Sequence, residues 1–442
     1  MTQPTLYQHL FDAVRRVDTV KVNGRVTQVI GLVIESIGPN TSLGEVCTIK
    51  SKDGEDVCLT EVVGFKSGCV LSMALGDISH ISPGCEIVAS GRSFTVSVGQ
   101  GLLGRVLDGL GKPMDGLGPL AAKEVRSIYS APPNPLDRMR IREPITTGIR
   151  SIDTLLTCGK GQRVGIFAGS GVGKSVTMGM IARNTSADVN VIALVGERGR
   201  EVREFIEKEL GPEGLRRSVV VVATSDQTAL VRLKAAFLAT SVAEYFRDQG
   251  LDVMLMMDSA TRVAMAQREV GLAIGEPPTT KGYTPSVFAL LPKLLERAGT
   301  SDKGSITGLY TVLVDGDDFN EPIADAVRSI LDGHIVLSRR LAAAGQYPAV
   351  DVLESISRVM PDITTGEHRS RVQRFCDILA TYKEAEDLIN IGAYVRGTNP
   401  RIDYSLSKIE SVRMFLRQGI DEHVDTAQNM QSLHAIVGDS VA

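Results

Sequence analysis

The chain has 442 residues, enough for about three domains of ordinary size. Its 48 Lys and Arg residues are nearly balanced by 52 Asp and Glu residues, so the formal net charge is only −4. This balance, the absence of Trp and an aromatic content of 5% argue against a protein that coats nucleic acid or stacks its bases. The six scattered cysteines lack metal-binding spacing, and no apolar run could span a membrane. We therefore expect reduced thiols and a cytoplasmic protein.

The first segment, residues 1–22, has the pattern of an amphipathic helix. Leu6, Leu10 and Val14 recur at helical intervals with charged residues between them. Such a helix either docks on its own domain or is detachable and binds a partner or a membrane surface. The sequence leaves both interpretations open.

Residues 23–92 predict a small β-barrel domain. Short alternating runs such as 26–30 and 45–49 are separated by Gly, Pro, Asn and Asp. No chemical motif falls inside this segment, so a structural or assembly role is expected.

Residues 93–360 predict an α/β domain with a parallel sheet. A Gly- and Pro-rich stretch up to residue 144 indicates turns and a linker. Beyond it, apolar runs alternate with helical stretches, as in a sheet covered by helices on both faces. The predicted strands span residues 163–168, 189–195, 219–223, 253–257 and 306–314. The remaining segment, 361–442, predicts a helical C-terminal domain.

A glycine-rich turn after the first of these strands carries the strongest chemical signal. Residues 168–175 read Ala-Gly-Ser-Gly-Val-Gly-Lys-Ser between a strand and a helix. Backbone N–H groups of such a turn surround phosphate oxygens, Lys174 reaches the β- and γ-phosphates, and the Ser175 hydroxyl ligates Mg²⁺. Ala168 replaces the usual first glycine, but the phosphate-facing glycines and the Lys-Ser pair remain. The predicted phosphate-binding residues are Gly169, Ser170, Gly171, Val172, Gly173, Lys174, Ser175 and Val176.

Two carboxylates follow neighbouring predicted strands. Asp258 ends the strand 253–257, where a carboxylate holds the water shell of Mg²⁺ or merely caps the next helix. Glu197 follows the strand 189–195, where a carboxylate orients the water that attacks a γ-phosphate. The residues alone also allow Glu197 to belong to a surface ion-pair cluster.

Three segments together resemble a known family. The phosphate loop, Gly-Glu-Arg-Gly-Arg-Glu at 196–201 and Ser-Arg-Val at 357–359 are similar to the catalytic subunits of rotary ATPases. The similarity is greatest to the ATPases of flagellar type III export, supported by the segments 275–288 and 330–337, with the injectisome secretion ATPases as the nearest alternative. It extends from about Gly24 to the C-terminus.

The resemblance implies specific roles. It implies Mg-ATP hydrolysis that energises the unfolding and delivery of export substrates, with Glu197 activating the water and Arg198 contacting the γ-phosphate or the glutamate. Tyr347 corresponds to the aromatic residue that stacks on adenine. Arg358 corresponds to an arginine finger that enters the neighbouring subunit's site. Because Glu197 and Arg358 lie on one chain, a homohexamer could complete a site at every interface.

The resemblance also implies partners and a location. These are export regulator and stalk proteins, the export gate and substrate–chaperone complexes at the cytoplasmic face of the membrane, with peripheral membrane contact and no nucleic acid. Three other classes of protein are the alternatives. A non-hydrolysing ring subunit would lack Glu197, an RNA translocase would carry stacking aromatics in its N-terminal fold, and a proton-driven synthase subunit would need partner chains.

Overall fold

The structure is a computed structural model that describes residues 22–314, 318–319 and 321–438. The predicted N-terminal helix, residues 1–22, lies outside the described residues except for its last position. The chain divides into two compact units between Phe94 and Thr95. Within the described ranges, no helix is both long and apolar enough to cross a bilayer.

The first unit is a closed barrel, which confirms the predicted β-barrel. Its six strands are hydrogen-bonded in the order β1-β2-β5-β4-β3-β6, and β6 closes on β1. Alternate residues such as Val26 and Ile34 point inward and form a small apolar core. The strands are β1 (Gly24–Ile30), β2 (Val33–Ile37), β3 (Glu45–Lys50), β4 (Asp56–Lys66), β5 (Cys69–Ala74) and β6 (Glu86–Ser93).

The second unit is built on a nine-stranded sheet in the order β19-β18-β12-β17-β15-β13-β14-β8, with β16 beside β17. The pairs from β18 to β8 are parallel, whereas β19 and β16 are antiparallel to their neighbours. The strands are β7 (Thr95–Val98), β8 (Val106–Asp108), β9 (Glu124–Ser127), β10 (Pro144–Ile145), β11 (Cys158–Gly159), β12 (Arg163–Ala168), β13 (Val189–Val195), β14 (Ser218–Ala223), β15 (Asp252–Asp258), β16 (Gly299–Thr300), β17 (Ser305–Leu313), β18 (Gly333–Leu337) and β19 (Val350–Ser357).

The five predicted strands are present with ends within one residue of prediction, which confirms the α/β class. They form because their apolar runs are buried on both faces of the sheet. The Gly- and Pro-rich stretch before residue 144 was predicted to contain only turns and a linker, but the structure also has a strand of the main sheet there. This strand is β8, whose residues Val106 and Leu107 are buried at the sheet edge through pairing with β14.

Helices cover the sheet and form the C-terminal region. They are α1 (Arg150–Leu155), α2 (Lys174–Asn184), α3 (Gly199–Glu204) with the π-helical turn Phe205–Leu210, α4 (Gly211–Arg216), α5 (Ala229–Asp248), α6 (Ala260–Ala273), α7 (Pro285–Leu295), α8 (Pro322–Ile330), α9 (Arg339–Ala343), α10 (Met360–Ile363), α11 (Gly366–Asn390), α12 (Pro400–Leu416) and α13 (Thr426–Val437).

The C-terminal helices α11, α12 and α13 pack on one another and on α1. Phe375, Val412 and Leu433 from these helices belong to the same apolar core as Ile166 of β12 and Met178 of α2. The helical region is therefore part of the same compact unit as the sheet.

Candidate active site

The phosphate loop connects β12 to α2 at the carboxyl edge of the sheet. Gly171 and Gly173 have φ angles of 78° and 88°, a left-handed conformation that other residues rarely adopt. Val172 is buried in the core and anchors the turn from below. The loop therefore presents backbone N–H groups and the α2 N-terminus to one point, the geometry of an anion site.

A cavity of about 420 Å³ opens above this loop, which is enough for a nucleotide's phosphates. The predicted residues that line it are Gly169, Ser170, Gly171, Gly173, Lys174, Ser175, Val176, Glu197 and Arg198. The cavity is therefore lined by residues that follow β12 and by residues that follow β13. These two strands are not neighbours in the sheet, because β17 and β15 lie between them.

Lys174 lies between two carboxylates at the base of the cavity. Its ammonium group hydrogen-bonds to Oδ1 of Asp258 and lies 3.5 Å from Oε1 of Glu197. Asp258 is buried, and the same Oδ1 accepts a 2.7 Å hydrogen bond from the Thr311 hydroxyl. Asp258 therefore lies beside the phosphate loop, and Thr311 of β17 fixes its position.

Glu197 is buried next to the cavity with its charge incompletely satisfied. Lys174 and Arg262 each approach one of its carboxylate oxygens to 3.5 Å, and the buried Oε1 has no hydrogen-bond donor among the residues that the structure describes. Burial raises the pKa of Glu197 to about 7, outweighing the two cations, and Asp258 adds to the increase. A carboxylate with a pKa near neutrality is suited to take a proton from water.

Two arginines approach Glu197 differently. Arg262, from the first turn of α6, contacts Glu197, and its side chain packs against Gly196. The guanidinium of Arg198 instead pairs with Glu201 at 3.0 Å and is largely exposed. Sequence reasoning missed Arg262. Its position four residues after Asp258, on the helix that leaves the same edge of the sheet, was the available signal.

Tyr347 lies over the phosphate loop. A β-carbon on Gly173 would stand 3.5 Å from two carbons of the Tyr347 ring, and the ring is about half exposed. An exposed aromatic face beside a phosphate site offers a stacking surface for a base.

Arg358 is far from this cavity. Its backbone N–H donates to the Asp332 carbonyl, and Asp332 in turn bonds Arg163 at the amino end of β12. The phosphate loop follows Ala168 at the other end, five residue steps of about 3.3 Å or roughly 17 Å along the strand. The exposed Arg358 side chain therefore cannot reach its own chain's phosphate loop.

The oxygen ligands beside the loop fit Mg²⁺. The exposed Ser175 hydroxyl and the Asp258 carboxylate are hard donors of the kind this ion prefers. Within the part of the chain that the structure describes, no three His, Cys, Asp or Glu side chains form a metal cluster. The two donors therefore suit an ion whose other ligands are water and substrate phosphates.

Fold and site together define a phosphate-loop nucleotide hydrolase. The nucleotide-binding domain of the ATP synthase alpha/beta family matches residues 148–357, and the beta-barrel domain of that family matches residues 26–91. The T3SS EscN ATPase C-terminal domain matches residues 364–435.

Whole-chain similarity is also high. The flagellum-specific ATP synthase of Bacillus subtilis is 58% identical over 98% of this chain and 99% of its own length. The type 3 secretion system ATPase of Xanthomonas euvesicatoria is 50% identical over 94% of each chain. The assembled ATPase EscN of enteropathogenic E. coli superposes with a TM-score of 0.89 at 46% identity, covering 94% of this chain and 100% of EscN. The chain belongs to the ATP synthase alpha/beta family, in its branch of flagellar and type III secretion ATPases.

Proposed function

We propose that the protein hydrolyses Mg-ATP to drive flagellar type III protein export, as a homohexameric ring. The observation that carries the catalytic part is the buried Glu197 beside the phosphate loop, with a pKa near 7. Relatives named for flagellar and type III secretion systems support the export part.

The residues divide the chemistry among them. Lys174 and the loop N–H groups neutralise the β- and γ-phosphates, and Glu197 orients the attacking water and accepts its proton. Arg262 holds Glu197 in place from the opposite side to Lys174. Ser175 and Asp258 would hold Mg²⁺, which when bound neutralises charge on the transferring phosphoryl group.

Base binding is assigned to Tyr347. Its ring lies against Gly173 and Tyr347 is about half exposed, so adenine stacked there would keep its phosphates within reach of the loop. Arg198, exposed at the cavity rim, is assigned to the γ-phosphate.

Arg358 acts in trans in this proposal. Its position at the opposite end of β12 excludes its own site, whereas a neighbouring subunit can receive its guanidinium. The assembled form of EscN supports a ring, and an EscN complex with its central stalk EscO supports a stalk partner. Family resemblance supports a regulator, the export gate, substrate–chaperone complexes and a position at the cytoplasmic face of the membrane.

Two measurements test this function. Purified protein should release phosphate from ATP, with a rate per subunit that falls on dilution below the ring's dissociation constant. In the source bacterium, a deletion should abolish flagellin export, and wild-type but not Glu197→Gln protein should restore it. Normal flagellin export together with lost effector secretion would assign the protein to an injectisome instead.

A further inference from the structure

One loop of the C-terminal region, residues 417–422 between α12 and α13, is hydrogen-bonded to a residue of the candidate nucleotide site. Gln418 is the buried residue of this loop. Its backbone N–H donates a 2.9 Å hydrogen bond to the carbonyl oxygen of Tyr347, the residue whose ring lies over the phosphate loop.

The side-chain amide of Gln418 is fully engaged as well. Its Oε1 accepts a 2.8 Å bond from the backbone N–H of Arg150, and its Nε2 donates to the carbonyls of Gly148 at 2.8 Å and Glu422 at 3.2 Å. Because these partners lie just before α1, at its first residue and within the loop itself, Gln418 cannot shift without breaking buried hydrogen bonds.

Two arginines fix the rest of the loop. The Arg150 guanidinium donates to the carbonyls of Phe415 and Arg417, at 3.1 and 2.9 Å, and pairs with Glu422. Arg183, in the last turn of α2, donates to the carbonyl of Ile420 at 3.1 Å. The helix that begins at the phosphate loop is therefore tied to the same loop that holds Tyr347.

We propose that Gln418 is a positioning residue for the nucleotide base, because it sets the distance between the Tyr347 ring and the phosphate loop. The proposal rests on the proposed function, in which Tyr347 stacks on adenine. It assigns the 417–422 loop a role in nucleotide affinity and leaves the phosphate chemistry to other residues.

The test separates base binding from phosphate binding. Gln418→Met keeps the length of the side chain but removes its amide. The variant should raise both the KM for ATP and the inhibition constant of Mg-ADP by about fivefold to tenfold. This is the effect expected from the loss of one or two buried hydrogen bonds. The kcat at saturating ATP and the inhibition constant of Mg-pyrophosphate, which has no base, should change less than twofold. Gln418→Glu keeps the acceptor for Arg150 but places a carboxylate oxygen against the Gly148 and Glu422 carbonyls, so it should raise the KM at least as much as Gln418→Met. Asp421→Ala is the control in the same loop: this side chain is 97% exposed, and removing its 3.9 Å ion pair with Arg183 leaves the Arg183 hydrogen bond to the Ile420 carbonyl in place.

A double-mutant cycle decides whether Gln418 acts through Tyr347. Tyr347→Ala should raise the KM for ATP, and adding Gln418→Met should then raise it no further. Equal weakening of ADP and pyrophosphate by both Gln418 variants, or full additivity with Tyr347→Ala, would overturn the proposal. A normal KM in Tyr347→Ala would overturn the base assignment and this proposal together. If Tyr347→Ala has a raised KM but folded Gln418 variants have a normal KM, only the positioning role of Gln418 is overturned.

Discussion

Glu197→Gln should both inactivate and stabilise the protein. The substitution keeps shape and size but removes the carboxylate that accepts a proton from water. General-base catalysis contributes roughly 10²–10⁴ in rate, and we expect phosphate release to fall by that factor. Binding of a fluorescent ATP analogue should be retained, because Lys174 and the phosphate loop are unchanged.

The gain in stability follows from the pKa of Glu197. Burial raises this pKa from 4.5 to about 7, so the folded protein binds the proton more tightly than the unfolded chain. The bound proton therefore increases the free energy of unfolding. This increase is complete below pH 4.5 and is lost as the pH rises through about 7. Ionised Glu197 therefore costs of order 1 to 3 kcal/mol at pH 8, which the neutral glutamine avoids.

Thermal unfolding at two pH values measures this effect. The midpoint of Glu197→Gln should exceed that of wild type at pH 8, and the difference should shrink at pH 5. Glu204→Gln is the control, since this glutamate of α3 is exposed and the same substitution there should leave the unfolding midpoint unchanged. Near-normal turnover, or a lower midpoint than wild type at pH 8, would refute the reasoning.

Three further results are expected. Lys174→Ala should reduce phosphate release at least ~100-fold and weaken Mg-ADP binding in calorimetry, because the phosphates lose their main cation; unchanged binding would contradict this. In wild type, kcat/KM for ATP should fall about tenfold per pH unit below about 7, as Glu197 becomes protonated, and be level above it; a flat profile down to pH 5 would exclude Glu197 as the base. Arg262→Ala should move the acidic limb of the kcat/KM profile to higher pH, because Arg262 lowers the pKa of Glu197. A shift of this limb to lower pH would contradict the ion pair between Arg262 and Glu197.

Local sequence patterns predicted much of the fold. Apolar runs such as β12 and β13 were recognisable because both faces of those strands are buried, and the phosphate loop because its chemistry is contained in eight successive residues. The short β8 was missed, since only its pairing with β14 makes it a strand.

Contacts between distant segments could not be predicted. Arg262 approaches Glu197 because β13 and β15 are neighbours in the sheet, and the sequence does not specify that order. The same holds for Gln418, which reaches Tyr347 only through the packing of the C-terminal helices. The family resemblance identified Arg358 as an arginine finger. The distance between Arg358 and the phosphate loop of its own chain could not be predicted, because it depends on the register of β18 and β19.

A mixing experiment tests the central claim, that each site is completed by two subunits. Glu197→Gln and Arg358→Ala proteins should each be nearly inactive alone. In randomly mixed rings at equal amounts, about one quarter of interfaces would pair an intact Glu197 with an intact Arg358 from the neighbour, and about a quarter of wild-type phosphate release should return. No recovery in rings shown to contain both variants would contradict the account.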